Sequence, residues 1–166
     1  RTCPRQALQY LSILLHSTGI AMARVTFELP THFAFSTDVQ IYISHVNQGG
    51  HLDNAQLLSL VSEARLRFFH AIDFPSAEQP DISMVVGDIV AQYKSEGFHG
   101  EIMRIQMTPA DFNRYGFDLV FSVVEKSQER EVARGKTGVV FVSKSERRPV
   151  PIPEATLAKL KAMEHA

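Results

Sequence analysis

From Asp53 onward the apolar residues take helical spacing. Leu57, Leu60, Val61, Ala64 and Phe68 fall on one stripe, and no Gly or Pro interrupts until Pro75. Leu58, Leu66 and Phe69 add apolar groups off that stripe, so this helix needs cover on more than one side. At 1.5 Å per residue, about 19 residues make a rod of roughly 28 Å. Asp53 suits the N-cap, and Gln56 three residues later completes a capping-box pattern. A helix so long and so widely apolar must be wrapped by the rest of the chain.

The remaining segments supply strands. Val39, Ile41 and Ile43 alternate with Gln40, Tyr42 and Ser44, which predicts a strand with one buried face, broken by Gln48-Gly49-Gly50. After a loop at 75–80, four strand-like runs follow, over 82–94, 100–108, 117–125 and 131–143. The separators SEGFHG, PADFNRYG and KSQER are turn-like or charged, and their shortness predicts an antiparallel meander. A last amphipathic segment, 153–163, opens with Pro153, as suits a short helix. The order is strand, long helix, four strands: an α+β layer design whose antiparallel sheet wraps one long central helix, plus a short C-terminal helix.

The totals narrow the function classes. The chain has 166 residues, a length for one domain. Its net charge of −1 gives no electrostatic case for nucleic acid or anionic membrane. The single cysteine, Cys3, allows no intrachain disulfide and fits a reducing, cytoplasmic setting. There is no Cys/His cluster of metal-site type, no phosphate-binding glycine loop and no apolar run of bilayer length. No metal or cofactor is expected. Arg1 and Arg5 precede ALQYLSILL, with Ala21-Met22-Ala23 beyond, a loose likeness to a secretory signal that His16-Ser17-Thr18 interrupts. Residues 1–21 are expected to be a non-core extension, and 22–166 the folded domain.

Where the helix begins, HVNQGGHLDN (residues 45–54) crowds side chains that hydrogen-bond or titrate. Followed by Ser62-Glu63-Ala64-Arg65, this stretch resembles the motif D-x-D-x-x-G-H-V-N-N plus an E-E-A-R-like helix segment. That motif belongs to the hotdog-fold acyl-CoA thioesterases of the 4-hydroxybenzoyl-CoA thioesterase type. VPIP at 150–153 before a short helix is similar too, and the likeness runs from about residue 22 to 163. It implies a hotdog fold and hydrolysis of an acyl-CoA or acyl-carrier-protein thioester. It also implies subunits paired edge to edge, as a dimer or tetramer, with the site between them. The family's catalytic aspartate falls on Asn47 here, and the motif's earlier aspartate on His45. Asparagine is neither a general base nor a carboxylate nucleophile.

Thioester hydrolysis needs a stabilised oxyanion and a delivered water. A helix N-terminus offers free N–H groups and a favourable dipole. The resemblance assigns the oxyanion to Asn54 N–H, with Gly50 permitting close approach. For water delivery the candidates are Asn47, His51, Asp53 and Glu63. Asn47 also suits the turn itself, His51 an interior contact, and Asp53 the helix cap. Glu63 lies on the polar stripe Gln56–Ser59–Glu63–Arg67–His70 and is spaced to pair with Arg67. Arg65 suits anchoring the helix to a neighbour. Arg147 and Arg148, with Lys144, are candidates for the phosphates of coenzyme A, though charged strand ends are commonly just solvated; Arg134 and Lys136 are weaker ones. Leu57, Leu58, Val61, Val85 and Phe121 suit either an acyl slot or core packing. The alternative function is a non-catalytic hotdog that binds an acyl thioester or aromatic ligand, which the loss of a carboxylate at 47 favours. A hotdog hydratase ranks last, because its His/Asp arrangement is not found.

Overall fold

The structure is a computed structural model and describes residues 27–164; the expected extension, 1–21, lies outside the described residues. Strand β1 (Phe35–Gln40) leads through a single 3-10 turn (Ile43–His45) to the long helix α1 (Asn54–Ala71). Then come β2 (Ile82–Tyr93), β3 (Ile102–Ala110), β4 (Gly116–Glu125), β5 (Arg130–Ser143), the two-residue β6 (Arg148–Pro149) and helix α2 (Glu154–Glu164). The strands form one antiparallel sheet in the order β1-β3-β4-β5-β2, with β6 beside the end of β5.

The alternation seen in the sequence sets the inner face. Met103, Ile105 and Met107 of β3, Phe117, Leu119, Phe121 and Val123 of β4, and Val139 and Phe141 of β5 are buried there. Against them α1 buries Leu57, Leu60, Val61, Ala64, Phe68 and Phe69. Each large side chain so buried contributes about 1.5–3 kcal/mol. The C-terminal end of α1 is sealed by phenylalanines. Phe68 meets Phe35 edge-on at 5.7 Å between centroids, and Phe74 meets Phe141 at 5.4 Å. Lys159 of α2 donates to the carbonyl of Ile72 at 2.9 Å, satisfying the end of α1. Among the described residues the opposite end of α1 has no such cluster of phenylalanines, and there the polar motif lies.

Two expectations need correction. The strand predicted across 39–44 ends at Gln40, and Ile43 is 71% exposed. Beyond Gln40 the N–H and carbonyl of Ile41 are taken by Glu101 O and Gly100 N, both at 2.9 Å, and the chain turns away. The predicted meander holds only for β3-β4-β5. β2 pairs with β5 at one edge, whereas β3 continues to β1 at the other. Residues 94–101 are therefore a crossover and not a hairpin. It is pinned where Leu52 N–H donates to Gly97 O at 2.8 Å. Arg130 holds it from below through Glu101 (2.8 and 3.0 Å), Ser95 Oγ (3.0 Å) and the carbonyl of Glu96. At Gly97 a Cβ would come within 2.9 Å of Ile41 Cδ1, so any larger residue would have to push the tip of that buried side chain aside.

Candidate active site at the start of the central helix

Residues 46–52 fold back on themselves. Val46 bridges Leu52, Asn47 N–H donates to His51 O, and Gly50 N–H to Asn47 O, each at 3.0 Å. Gly50 has φ +84°, a left-handed conformation that favours glycine. The Asn47 carboxamide ties this turn together. Its Oδ1 accepts Gly49 N–H at 2.8 Å, so its Nδ2 faces His51 Nδ1 at 3.3 Å. The hydrogen-bond network thereby assigns the neutral His51 proton to Nε2 and spends the Nδ1 lone pair inside the turn.

Asp53 is the helix cap, as its position predicts. Its Oδ1 accepts Ala55 N–H (2.8 Å) and Gln56 N–H (3.4 Å), and its carbonyl accepts Leu57 N–H (2.9 Å). The reciprocal half of the capping box is replaced, because Asp53 N–H donates to His45 O at 3.0 Å. Among the described residues the Asn54 N–H alone in this first turn is left without an acceptor. Its direction is nonetheless fixed. The following peptide is held at both ends, by Asp53 at Ala55 N–H and by the phenol of Tyr93, which donates to Asn54 O at 3.2 Å. Burial, and then the charge of Asp53, push the Tyr93 pKa above its ordinary value, so the phenol keeps its proton at neutral pH.

Asn47, Gly50, His51, Asp53 and Asn54 thus come together; three other candidates do not. Glu63 binds Arg67 at 2.8 Å, as its spacing predicts, and Arg67 also reaches Thr37 Oγ1 and Asp38 O. This pair lines a groove of about 500 Å³ between α1 and β1, with His45, Ser59, Leu60 and Ile102. Its cation and carboxylate are already mutually satisfied. Arg147 and Arg148 sit past β5, where β2 begins (Ile82 opposes Ser143), and Arg148 pairs with Glu146. Tyr93 lies at the other end of β2, on the order of 35 Å away along a strand of that length. Within one protomer these arginines and Asn54 are far apart. Arg134 and Lys136 are engaged by Glu131 and Asp118. Of the candidate acyl-slot residues, Leu57, Val61 and Phe121 are core, whereas Val85 is exposed. Tyr93 escaped the sequence reading. Its strand was legible, but which end of that strand meets the helix start depends on the crossover.

One antiparallel sheet wrapped around a long helix, with an unclaimed amide at the helix's opening turn, is the architecture of a hotdog protein. A sequence profile of the thioesterase-like superfamily matches residues 41–160, and the chain belongs to that superfamily. No curated protein matches it by sequence. Among solved structures, a 1,4-dihydroxy-2-naphthoyl-CoA thioesterase from Synechocystis superposes with a TM-score of 0.72 at 16% identity, over 80% of this chain and 98% of that one. A thioesterase from Thermus thermophilus, complexed with coenzyme A and Zn, gives 0.70 at 23% identity over 81% and 96%. YbaW, a probable thioesterase from Escherichia coli, gives 0.66 at 18% over 80% and 98%. At such identities the likeness establishes the hotdog fold. Among the described residues no helix is long and apolar enough to cross a membrane, and no His/Cys/Asp/Glu group is placed to hold a metal ion.

Proposed function

We propose that the protein hydrolyses an acyl thioester of coenzyme A or acyl carrier protein to the free acid and the thiol. The observation that carries this reading is the Asn54 N–H, unclaimed at the first turn of α1 and held in direction by its neighbours. The thioester carbonyl oxygen lies against it and gains negative charge there as water adds to the carbonyl carbon. The C–S bond then breaks, and the proton lost by water ends on the departing thiol. Asn47 orients the water with its second Oδ1 lone pair and its second Nδ2 hydrogen, and His51 Nε2–H is a donor beside it. Asp53 and Glu63 serve structure in this mechanism, as cap and as ion-pair partner. The membership in the thioesterase-like superfamily and the coenzyme A-bound neighbour support the substrate class.

The working unit is two copies or more. Among the described residues β2 has a strand partner on one side only, and an open edge of this kind invites pairing. Twofold antiparallel pairing of two β2 edges reverses one strand against the other. It carries the Arg147–Arg148 turn of one copy toward the Asn54 end of its neighbour, where the phosphates of coenzyme A need cations.

Asn54→Pro tests the oxyanion directly. Proline removes the N–H together with the exposed Asn54 side chain, so Asn54→Ala, which keeps the N–H, is the control. Proline is well tolerated at the first helical position, and Asp53, at φ −68° and ψ 144°, already has the conformation a following proline requires. Thiol release from a panel of acyl-CoA esters should fall about 10²–10³-fold in kcat with helix content retained. Undiminished kcat in this variant removes Asn54 from the chemistry. Asn47→Ala and His51→Ala, if both keep full kcat/KM, remove those two as well. A non-catalytic acyl-thioester binder is the second reading. It is favoured by the spending of Asn47 Oδ1 and His51 Nδ1 within the turn, and its signature is tight acyl-CoA binding with no thiol released.

A further inference from the structure

Beside the helix start, α1 and β2 leave an open apolar trench. By register, Met84, Val86, Ile89, Ala91 and Tyr93 lie opposite Phe141, Val139, Thr137, Gly135 and Ala133, and directly opposed residues share a face. They therefore look toward the helix. Tyr93 touches Asn54, while Met84 and Val86 share a cavity of about 160 Å³ with Ser62, Arg65 and Leu66. α1 thus runs antiparallel along β2, from the free amide at one end to Arg65 at the other. Between them Tyr93, Ile89, Val86 and Leu66 each expose 38–47% of their surface. Such a line of exposed apolar side chains marks a place for an apolar ligand.

The far end of this trench is charged. Arg65 is half-buried, and its only hydrogen-bond partner among the described residues is Ser62 Oγ, at 3.3 Å. No carboxylate among the described residues pairs with it, unlike Arg67, Arg104, Arg130, Arg134 and Arg148. Burial alone pushes its pKa down from the ordinary value, with no anion to offset it. A guanidinium taken out of water without a counter-charge is costly unless an anion meets it. Helix side chains tilt toward the N-terminus, which sets the guanidinium near the level of Ser62, about 12 Å of helical rise from Asn54.

From this geometry we infer that Arg65 receives the far carboxylate of a dicarboxylic acyl thioester, whose thioester carbonyl sits at Asn54 and whose methylene chain fills the trench. This rests on the thioesterase reading and specifies its substrate class. Suberoyl-CoA and octanoyl-CoA share a chain length and differ in the terminal carboxylate. The wild-type protein should favour suberoyl-CoA in kcat/KM by about tenfold or more, the worth of a charge-assisted hydrogen bond. Arg65→Gln should erase that ratio, and Arg65→Lys should keep part of it. Equal use of the two esters by the wild type, or a ratio unchanged in Arg65→Gln, overturns the assignment. So does loss of assembly in Arg65→Gln with the ratio intact, which gives the guanidinium to a subunit contact instead. If Arg65→Gln does not fold, free suberate and octanoate are compared on the wild-type protein by thermal shift. Stronger stabilisation by suberate supports the site, and equal stabilisation overturns it. The two readings fail separately. Arg65-dependent suberate binding without hydrolysis of any ester sinks the thioesterase reading alone, and hydrolysis with no diacid preference sinks Arg65 alone.

Discussion

At position 47 a carboxamide stands where the family motif has a carboxylate, and its surroundings say what the exchange does. Gly49 N–H needs an acceptor there and finds one in Oδ1, and Nδ2 then faces an unprotonated His51 Nδ1. An aspartate would keep the first contact and reverse the second, with His51 Nδ1 becoming the donor. Asn47→Asp therefore restores a general base without dismantling the turn. We expect kcat for acyl-CoA hydrolysis to rise at least about tenfold, within the usual 10²–10⁴ span of general-base catalysis; an unchanged kcat in a folded Asn47→Asp protein would show that water is activated elsewhere. Tyr93 acts one step removed, as a positioning residue, since its phenol fixes the peptide that follows the free amide. Tyr93→Phe deletes one hydrogen bond worth about 1 kcal/mol. It should lower kcat about fivefold and the melting temperature by no more than a few degrees, while leaving KM close to wild type. A rise in KM at constant kcat would instead place Tyr93 among ground-state binding groups.

At the scale of elements, the turns decide what the strands can do. Between β4 and β5 the buried Glu125 carboxylate accepts Ser127 N–H (3.0 Å), Ser127 Oγ (2.9 Å) and Gln128 N–H (2.8 Å). Those bonds, the Ser127 amide first, hold its pKa below the ordinary carboxylate value. A lowered folded-state pKa means the stabilisation is complete above the unfolded pKa and is lost as the pH falls through the folded one. The urea midpoint of the wild type should therefore exceed that of Glu125→Gln at pH 7, and the gap should narrow progressively as the pH falls below the ordinary glutamate pKa. A gap that persists in acid would show that Glu125 acts through packing instead of charge. Turns also explain what the sequence disclosed. α1 was legible because Asp53 caps it and its apolar spacing is unbroken, and β3 to β5 because they alternate cleanly. The Asn47–Asn54 cluster was legible because a single local turn builds it. The β2 crossover was not, since SEGFHG has the composition of a hairpin turn and its path is set by distant partners, Ile41, Leu52 and Arg130. Tyr93 and the trench depend on that crossover and were hidden with it.

On the scale of the whole molecule, the two sheet edges are unlike. β1 is short, and its Asp38 is paired with Lys126 at 2.6 Å, a charged edge of the kind that resists further strands. β2 runs for twelve residues and exposes Val85, Val86, Ile89 and Tyr93. If two copies pair along that edge, the trench becomes a slot between them and each Asn54 site gains the Arg147–Arg148 turn of its neighbour. Activity and assembly then become one property. Val85→Lys adds a charge on the face of β2 opposite to the one that lines the trench, and around a twofold axis it adds that charge twice. Uncompensated like charges near one another in a covered interface are strongly unfavourable. The variant should sediment as a smaller species than the wild type and lose acyl-CoA hydrolysis in parallel, while its circular dichroism stays that of a folded domain. Raising the protein concentration should recover assembly and hydrolysis together, because mass action governs both. If the smaller species turns over substrate as fast as the wild type, one protomer holds a complete site, and the phosphate contacts must be sought on its own surface.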